Sequence, residues 1–92
     1  TIAGTGAHLG TEWDPSNSAN DMEYDAEAGV FKKVYSGVAA GDYEFKVTKD
    51  HSWATNWGQG GQGGGNIPVN VPTDGATLTI IFDGSSVTYT VE

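Results

Sequence analysis

Residues 76–92 read "ATLTIIFDGSSVTYTVE", and this stretch decides the fold. Leu78, Ile80 and Phe82 stand two residues apart, which is the spacing of a β-strand with one buried face. Asp83-Gly84 then begins a turn. Beyond the turn, apolar residues return at the same spacing: Val87, Tyr89 and Val91. The stretch therefore predicts an antiparallel β-hairpin.

Other segments carry the same period of two. "DYEFKVT" at 42–48 places Tyr43, Phe45 and Val47 on one face, with Lys46 on the polar face. Less regular strands are predicted at 1–6, 30–36 and 66–71, where Pro68 favours an edge strand or a bulge. The best helical candidate, 21–29, is short and has no apolar stripe. About six short strands predict an all-β, antiparallel β-sandwich.

Length, charge and composition narrow the function. A chain of 92 residues with a net charge of -8 is one small domain that repels nucleic acid and anionic membranes. It has no apolar run that could span a bilayer and no signal-peptide pattern. Zero cysteines exclude disulfide and thiolate-metal scaffolds. The abrupt start at Thr1, inside a predicted strand, suggests a module excised from a larger protein.

Two long segments, 10–21 and 49–66, are predicted to be loops, and loops of this length are usually functional or disordered. All three tryptophans fall in them: Trp13, Trp53 and Trp57. The remaining aromatic residues suffice to form a core: Phe31, Phe45, Phe82, Tyr43 and Tyr89. The tryptophans are therefore candidates for ligand contact, although each, and Trp57 most of all, could instead fill the end of the sandwich.

Several other motifs have simpler explanations. Gly58, Gly60 and Gly63 fit G-x-G-x-x-G, but a proline-containing strand follows them where a dinucleotide site needs a helix. The plentiful carboxylates could serve glycoside hydrolysis, yet they fall in turns and on polar strand faces. Five side chains could ligate calcium but lack its loop pattern, so turn capping is preferred: Asp14, Asn17, Asn20, Asp21 and Asp25. The two histidines are isolated, and no metal or other cofactor is expected.

Tryptophan faces stack on the C–H-rich faces of sugar rings, while neighbouring amides and charges bind the hydroxyl groups. Suitable polar partners lie on the predicted polar strand face or near the tryptophans in sequence: Lys46, Asn56, Gln59 and Asn66. Two stacking platforms predict weak binding, with a dissociation constant of roughly micromolar to millimolar.

The order of motifs along the chain supports this interpretation. "EWDPSNSANDMEYDAEAGVFKKVYSGVAAGDYEFKV", then "SWATNWG", then "GGNIPVNVPTDGATLTIIFD" resembles the small starch-binding modules of pullulanases and bacterial amylases. The resemblance covers nearly the whole chain. More distantly, the sequence is similar to the glycogen-binding modules of family 48. The resemblance implies a non-catalytic, immunoglobulin-like sandwich that binds α-1,4-linked glucans.

The resemblance also implies site residues. The two glucan-stacking tryptophans of such modules fall on Trp13 and Trp53, and their lysine and asparagine fall on Lys46 and Asn66. Trp57 stands where pullulanase modules usually have tyrosine. The implied protein is a monomeric module of a secreted or cell-surface bacterial protein, covalently linked to an enzyme or adhesion domain that it targets to starch. The rival hypothesis is an immunoglobulin-like spacer that supports a catalytic domain and binds no sugar.

Overall fold

The computed structural model describes all 92 residues and consists of two antiparallel β-sheets. The nine strands are β1 (Ile2–Gly4), β2 (Glu23–Asp25), β3 (Val30–Val38), β4 (Gly41–Lys49), β5 (Ser52–Gly58), β6 (Gly61–Gln62), β7 (Ile67–Val71), β8 (Ala76–Phe82) and β9 (Val87–Val91). Two short 3-10 helices span Ala7–Leu9 and Ser18–Asn20. The predicted all-β antiparallel sandwich is confirmed. Neither 3-10 helix is long and apolar enough to cross a membrane.

The first sheet is built around β4. Phe45 pairs with Gly4 of β1 on one side and with Ile67 of β7 on the other. Further along, Val47 pairs with Ile2 of β1 and with Trp57 of β5. Strands β5 and β7 therefore lie end to end along the same edge of β4, and β6 extends the sheet beyond β5. Pro68 lies in β7, which pairs only with β4, so its predicted edge position is confirmed.

The second sheet has the order β2-β3-β8-β9, and the predicted hairpin forms β8 and β9. Burial alternates along β8, with Leu78, Ile80 and Phe82 facing inward. These side chains and the inward residues of β4 and β7 belong to one core cluster of 13 buried residues. Burying each large apolar side chain contributes roughly 1.5–3 kcal/mol, so the alternating pattern that marks the strands also holds the two sheets together.

The β8–β9 turn is closed by Asp83. Its Oδ1 atom accepts hydrogen bonds from the backbone N–H groups of Ser85 and Ser86, at 2.8 and 2.7 Å. These bonds, led by the one from Ser86, lower the pKa of Asp83 below its ordinary value of 3.8. Because the folded-state pKa is depressed, the stabilisation is present above pH 3.8 and is lost as the pH falls through the folded-state value.

We therefore expect the melting temperature to fall as the pH drops from 5 toward 2, and Asp83→Asn to reduce that fall. The asparagine oxygen still accepts hydrogen bonds, but it does not titrate. Calorimetric scans of both proteins across this pH range test the expectation. Identical pH dependence in the two proteins would show that Asp83 does not contribute to acid sensitivity.

The structure corrects three expectations. Residues 23–25 form a strand that the sequence did not predict, and 52–58 form β5 inside a predicted loop, so Trp53 and Trp57 lie on a strand. The Asp50-His51 turn makes β5 possible, because both residues adopt left-handed backbone angles, φ 56° and 55°, without a glycine. Phe31 and Tyr89 were predicted in the core, but they are 39% and 36% exposed; Phe31 lies near the start of β3, and Tyr89 lies in the middle of β9, an edge strand of the second sheet.

Candidate functional site

Two of the predicted tryptophans meet on the surface. The ring centroids of Trp13 and Trp53 are 6.2 Å apart, and their planes are inclined by 42°. Trp53 is 39% exposed and Trp13 is half-buried, so the two rings form one angled aromatic surface. We call Trp13 and Trp53 the aromatic pair. An angled surface of this kind complements a curved ligand better than it complements a flat ligand.

The segment that carries Trp13 is held by backbone and side-chain hydrogen bonds. The Trp13 backbone has a φ of 52°, uncommon for a residue with a side chain, and its N–H donates to Gly4 O of β1 at 2.8 Å. Asn20, which is 2% exposed, donates through Nδ2 to Leu9 O at 2.9 Å and accepts from the Tyr35 hydroxyl at 2.8 Å. The predicted loop at 10–21 is therefore anchored to both sheets.

Trp53 projects from an irregularity in β5. Thr48 pairs with Asn56 and the next residue of β4, Lys49, pairs with Ser52, so residues 53–55 have no partner on β4. Such a bulge re-aims the side chains that it contains. Asn56 closes the bulge, because its Nδ2 donates to Trp53 O at 2.9 Å. Asn56, which the sequence predicted as a sugar contact, thus holds the Trp53 backbone in place. The Oδ1 atom of Asn56 is buried and has no hydrogen-bond partner.

The strand register places Lys46 and Asn66 on the outer face of the first sheet. Phe45 and Val47 face the core, so Lys46 between them faces outward, directly opposite Ala3. Ile67 pairs with Phe45 and is buried, so the exposed Asn66 before it continues the outer face beside Lys46. The Asn66 carbonyl accepts from Gln59 Nε2 at 2.7 Å. The register therefore places two of the six predicted site residues, Lys46 and Asn66, on this face.

Trp57 lies elsewhere. It is opposite Val47, which faces the core, and its ring centroid is 4.6 Å from that of Phe82 in the second sheet. The half-buried indole packs against the core cluster and lines a cavity at the end of the sandwich. The structure therefore separates Trp57 from the aromatic pair, because side chains at Trp53 and Trp57 leave β5 on different sides.

The glycine-rich run forms a compact hairpin after β5. Gly63 N donates to Asn56 O, and Gln59 N donates to Gly65 O, each at 2.8 Å. A Cβ atom at Gly58 would lie 2.7 Å from the Gly64 carbonyl oxygen, so only glycine permits this approach. The glycines of this run therefore allow two backbone segments to pack closely.

The acidic residues near the aromatic pair cap turns. Asp14 Oδ1 accepts from the hydroxyl and backbone N–H of Ser16, and these bonds lower the pKa of the Asp14 carboxyl. Asn17 accepts from Ala19 N at 3.0 Å at the start of a 3-10 helix. No three acidic or histidine side chains converge in a way that could hold a metal ion. These bonds favour the turn-capping interpretation of the segment over a calcium site.

Sequence analysis missed a second group of side chains, at the end of the sandwich around Trp57. Asp21, Phe31 and His51 line the cavity beside Trp57, but they come from separate segments and carry no common motif. Phe31 was expected in the core as one of the aromatic residues outside the two long segments, but its position near the start of β3 leaves it 39% exposed.

The fold and the aromatic pair define a small β-sandwich module with an aromatic surface on one sheet. The chain belongs to the pullulanase X25 domain family, whose sequence model matches residues 3–89. It is 40% identical over 81 residues to an amylopullulanase of Thermoanaerobacterium saccharolyticum, and 37% identical over 81 residues to that of Thermoanaerobacterium thermosulfurigenes. An amylopullulanase of Thermoanaerobacter thermohydrosulfuricus is 40% identical over 82 residues. Each match covers 84% of this chain but only 4–6% of the relative.

Proposed function

We propose that this chain is a single non-catalytic module that binds starch-type α-1,4-glucans through the aromatic pair. The observation that carries the proposal is the exposed, inclined arrangement of Trp13 and Trp53. Two tilted platforms follow the curvature of an α-glucan, whereas a flat β-linked chain contacts only one of them well. Lys46 and Asn66, on the same sheet face, supply hydrogen-bond donors and acceptors for the hydroxyl groups.

The proposed role is targeting. The relatives are named amylopullulanases, and the chain corresponds to a small fraction of their length. We infer that the module is covalently linked to enzyme domains of an extracellular or cell-surface bacterial protein and tethers them to starch. Weak affinity suffices for this role, because tethering raises the effective concentration of the enzyme at the polymer. No reaction is assigned to the module itself.

A titration with maltoheptaose tests the proposal. We expect saturable quenching of tryptophan fluorescence, and an affinity at least roughly fivefold weaker in Trp53→Ala, because one stacking platform contributes roughly 1–3 kcal/mol. The variant should remain folded, since Trp53 is 39% exposed and lies in an unpaired part of β5. Circular dichroism checks that point.

Trp53→Tyr is the matched control, because it keeps an aromatic face and should retain most of the affinity. A wild-type chain that does not respond at millimolar maltoheptaose would overturn the proposal and favour the spacer hypothesis. A folded Trp53→Ala variant with wild-type affinity would remove the aromatic pair as the binding site.

A further inference from the structure

A second concave surface lies at the end of the sandwich where β5, β8 and the start of β3 meet. This cavity has a volume of about 500 Å³, within the range of small-molecule sites. One wall is apolar and contains Trp57, Phe31 and Phe82, while Asp21 and His51 lie on the opposite, polar side. We call this cavity the end pocket.

The apolar wall is a row of aromatic rings. Phe82 is 7% exposed and lies between Trp57 and Phe31, with centroid distances of 4.6 and 6.1 Å. Tyr24 continues the row 5.0 Å beyond Phe31. Phe82 is fixed by the core, so it holds its two more exposed neighbours in place. The rings come together because Phe31 and Phe82 pair directly across β3 and β8, and Tyr24 pairs with Phe31 across β2 and β3.

The polar wall contains a hydrogen-bond acceptor, the Asp21 carboxylate, which neighbouring side chains hold in place. Asp21 Oδ1 accepts from the Thr1 hydroxyl and lies 2.8 Å from His51 Nε2. Both Asp21 and His51 side chains are 45% exposed, and Oδ2 of Asp21 has no protein donor. The hydrogen bond from Thr1, followed by those from His51, lowers the pKa of the Asp21 carboxyl, so the group is an ionised acceptor at neutral pH.

We propose that the end pocket is a second carbohydrate-binding site, in which a glucosyl ring stacks on Phe31 and Trp57 and a hydroxyl group donates to Asp21. The ligand class rests on the proposed function. Aromatic faces beside a carboxylate–imidazole pair match the C–H faces and hydroxyl edges of a sugar. The end pocket is lined by Trp57 but by neither tryptophan of the aromatic pair, so it is a separate site. The module is then bivalent for long glucans, and two weak sites reinforce each other on a polymer.

A docking surface for a neighbouring protein domain is a weaker interpretation of the same features. Covering the pocket with protein would remove water from the half-exposed Asp21–His51 pair, which costs free energy unless the partner supplies matched groups. A sugar supplies such groups through its hydroxyls and leaves the rim of a small concave site in water. The size and polarity of the pocket therefore favour the small ligand.

The test follows the indole N–H signals of the three tryptophans by NMR during titration of the 92-residue chain with maltoheptaose. We expect the Trp57 signal to shift saturably in the wild type and still to shift in Trp53→Ala. In Phe31→Ala the Trp57 shift should require at least roughly fivefold more sugar, while the Trp13 and Trp53 shifts are unchanged. Val34→Ala, a 48%-exposed position on the same strand, is the matched control and should change neither response.

The outcomes separate the two proposals. If Trp53→Ala abolishes the response of the two remaining indoles, Trp13 and Trp57, the end pocket is not a second site, and the aromatic pair remains as the only one. If only Trp57 responds, and does so in a Phe31-dependent way, the end pocket stands and the aromatic pair is wrong. A Trp57 shift that Phe31→Ala leaves unchanged overturns the end pocket, because the signal then arises from distant changes. If none of the three indole signals shifts in the wild type, both proposals are overturned.

Discussion

Gly58→Ala is expected to lower the free energy of unfolding by about 3 kcal/mol, which is at the upper end of the usual cost of overpacking. The added methyl group would lie 2.7 Å from the Gly64 carbonyl oxygen and closer still to that of Gly65. Both atoms are backbone, so no side chain can rotate away. The glycine-rich hairpin must then move as a whole, breaking the hydrogen bond from Gln59 N to Gly65 O. Thermal unfolding should show a melting temperature lower by roughly 15 °C.

Gly65→Ala is the matched control from the same run. A Cβ atom there meets nothing within 4 Å, and the residue does not have a positive φ. This substitution should be neutral or stabilise the protein by roughly 0.4–1 kcal/mol, because alanine reduces the freedom of the unfolded chain. Equal melting temperatures for the two variants would show that the hairpin yields easily and that its close packing does not contribute to stability.

Asn20→Ala is expected to lower the free energy of unfolding by about 3 kcal/mol and to weaken glucan binding as well. The variant leaves the Tyr35 hydroxyl without its acceptor, in a site where Asn20 is 2% and Tyr35 7% exposed, and removes one of three hydrogen bonds to the Leu9 carbonyl. Burial raises the pKa of Tyr35, because its surroundings solvate charge poorly. The segment carrying Trp13 loses its buried hydrogen bond to the second sheet and keeps the exposed one from Lys33 Nζ to Ala19 O. Denaturant unfolding and a maltoheptaose titration measure the two effects.

A double-mutant cycle with Tyr35→Phe separates the contribution of the Tyr35–Asn20 hydrogen bond from the other effects of Asn20→Ala. Removing the Tyr35 hydroxyl eliminates the unpaired group, so Asn20→Ala should cost less in the Tyr35→Phe background, by about 1 kcal/mol or more. The hydrogen bond from Asn56 to the Trp53 carbonyl should persist in every variant. Strictly additive effects would mean that the bond from Tyr35 to Asn20 does not contribute to stability. Unchanged glucan affinity in Asn20→Ala would mean that this hydrogen bond is not needed to position Trp13 for binding.

Alternation predicted the regular strands well. Along β4 and β8 the inward residues repeat every second position, and Phe45, Leu78 and Ile80 are buried as that spacing requires. The edge position of Pro68 followed from its missing N–H group. Strand ends were predicted less well, because alternation gives the direction of a side chain but not whether the opposite sheet reaches far enough to cover it. Phe31 is an example, because it pairs with the buried Phe82 and yet is 39% exposed.

Polar composition misled the prediction around the tryptophans. Residues 52–58 contain serine, threonine, asparagine and glycine and have no regular alternation, yet they form β5. Pairing with β4 supplies the hydrogen bonds, and the left-handed Asp50-His51 turn brings the strand back without the usual glycine. The three-residue bulge then turns Trp53 away from the side on which Trp57 packs. Neither event leaves a local signature in the sequence.

The sequence by itself determined the class of fold and the identity of the candidate residues. Period-two spacing, the Asp83-Gly84 turn and the glycine run are local features that depend on backbone geometry and side-chain type. The resemblance singled out Trp13 and Trp53, and only the tertiary structure showed that their rings adjoin. Trp13 and Trp53 are 40 positions apart yet 6.2 Å from ring to ring, whereas Trp57, four positions from Trp53, packs against Phe82. Sheet register and burial set those contacts, because they depend on how distant segments exclude water together rather than on neighbouring residues.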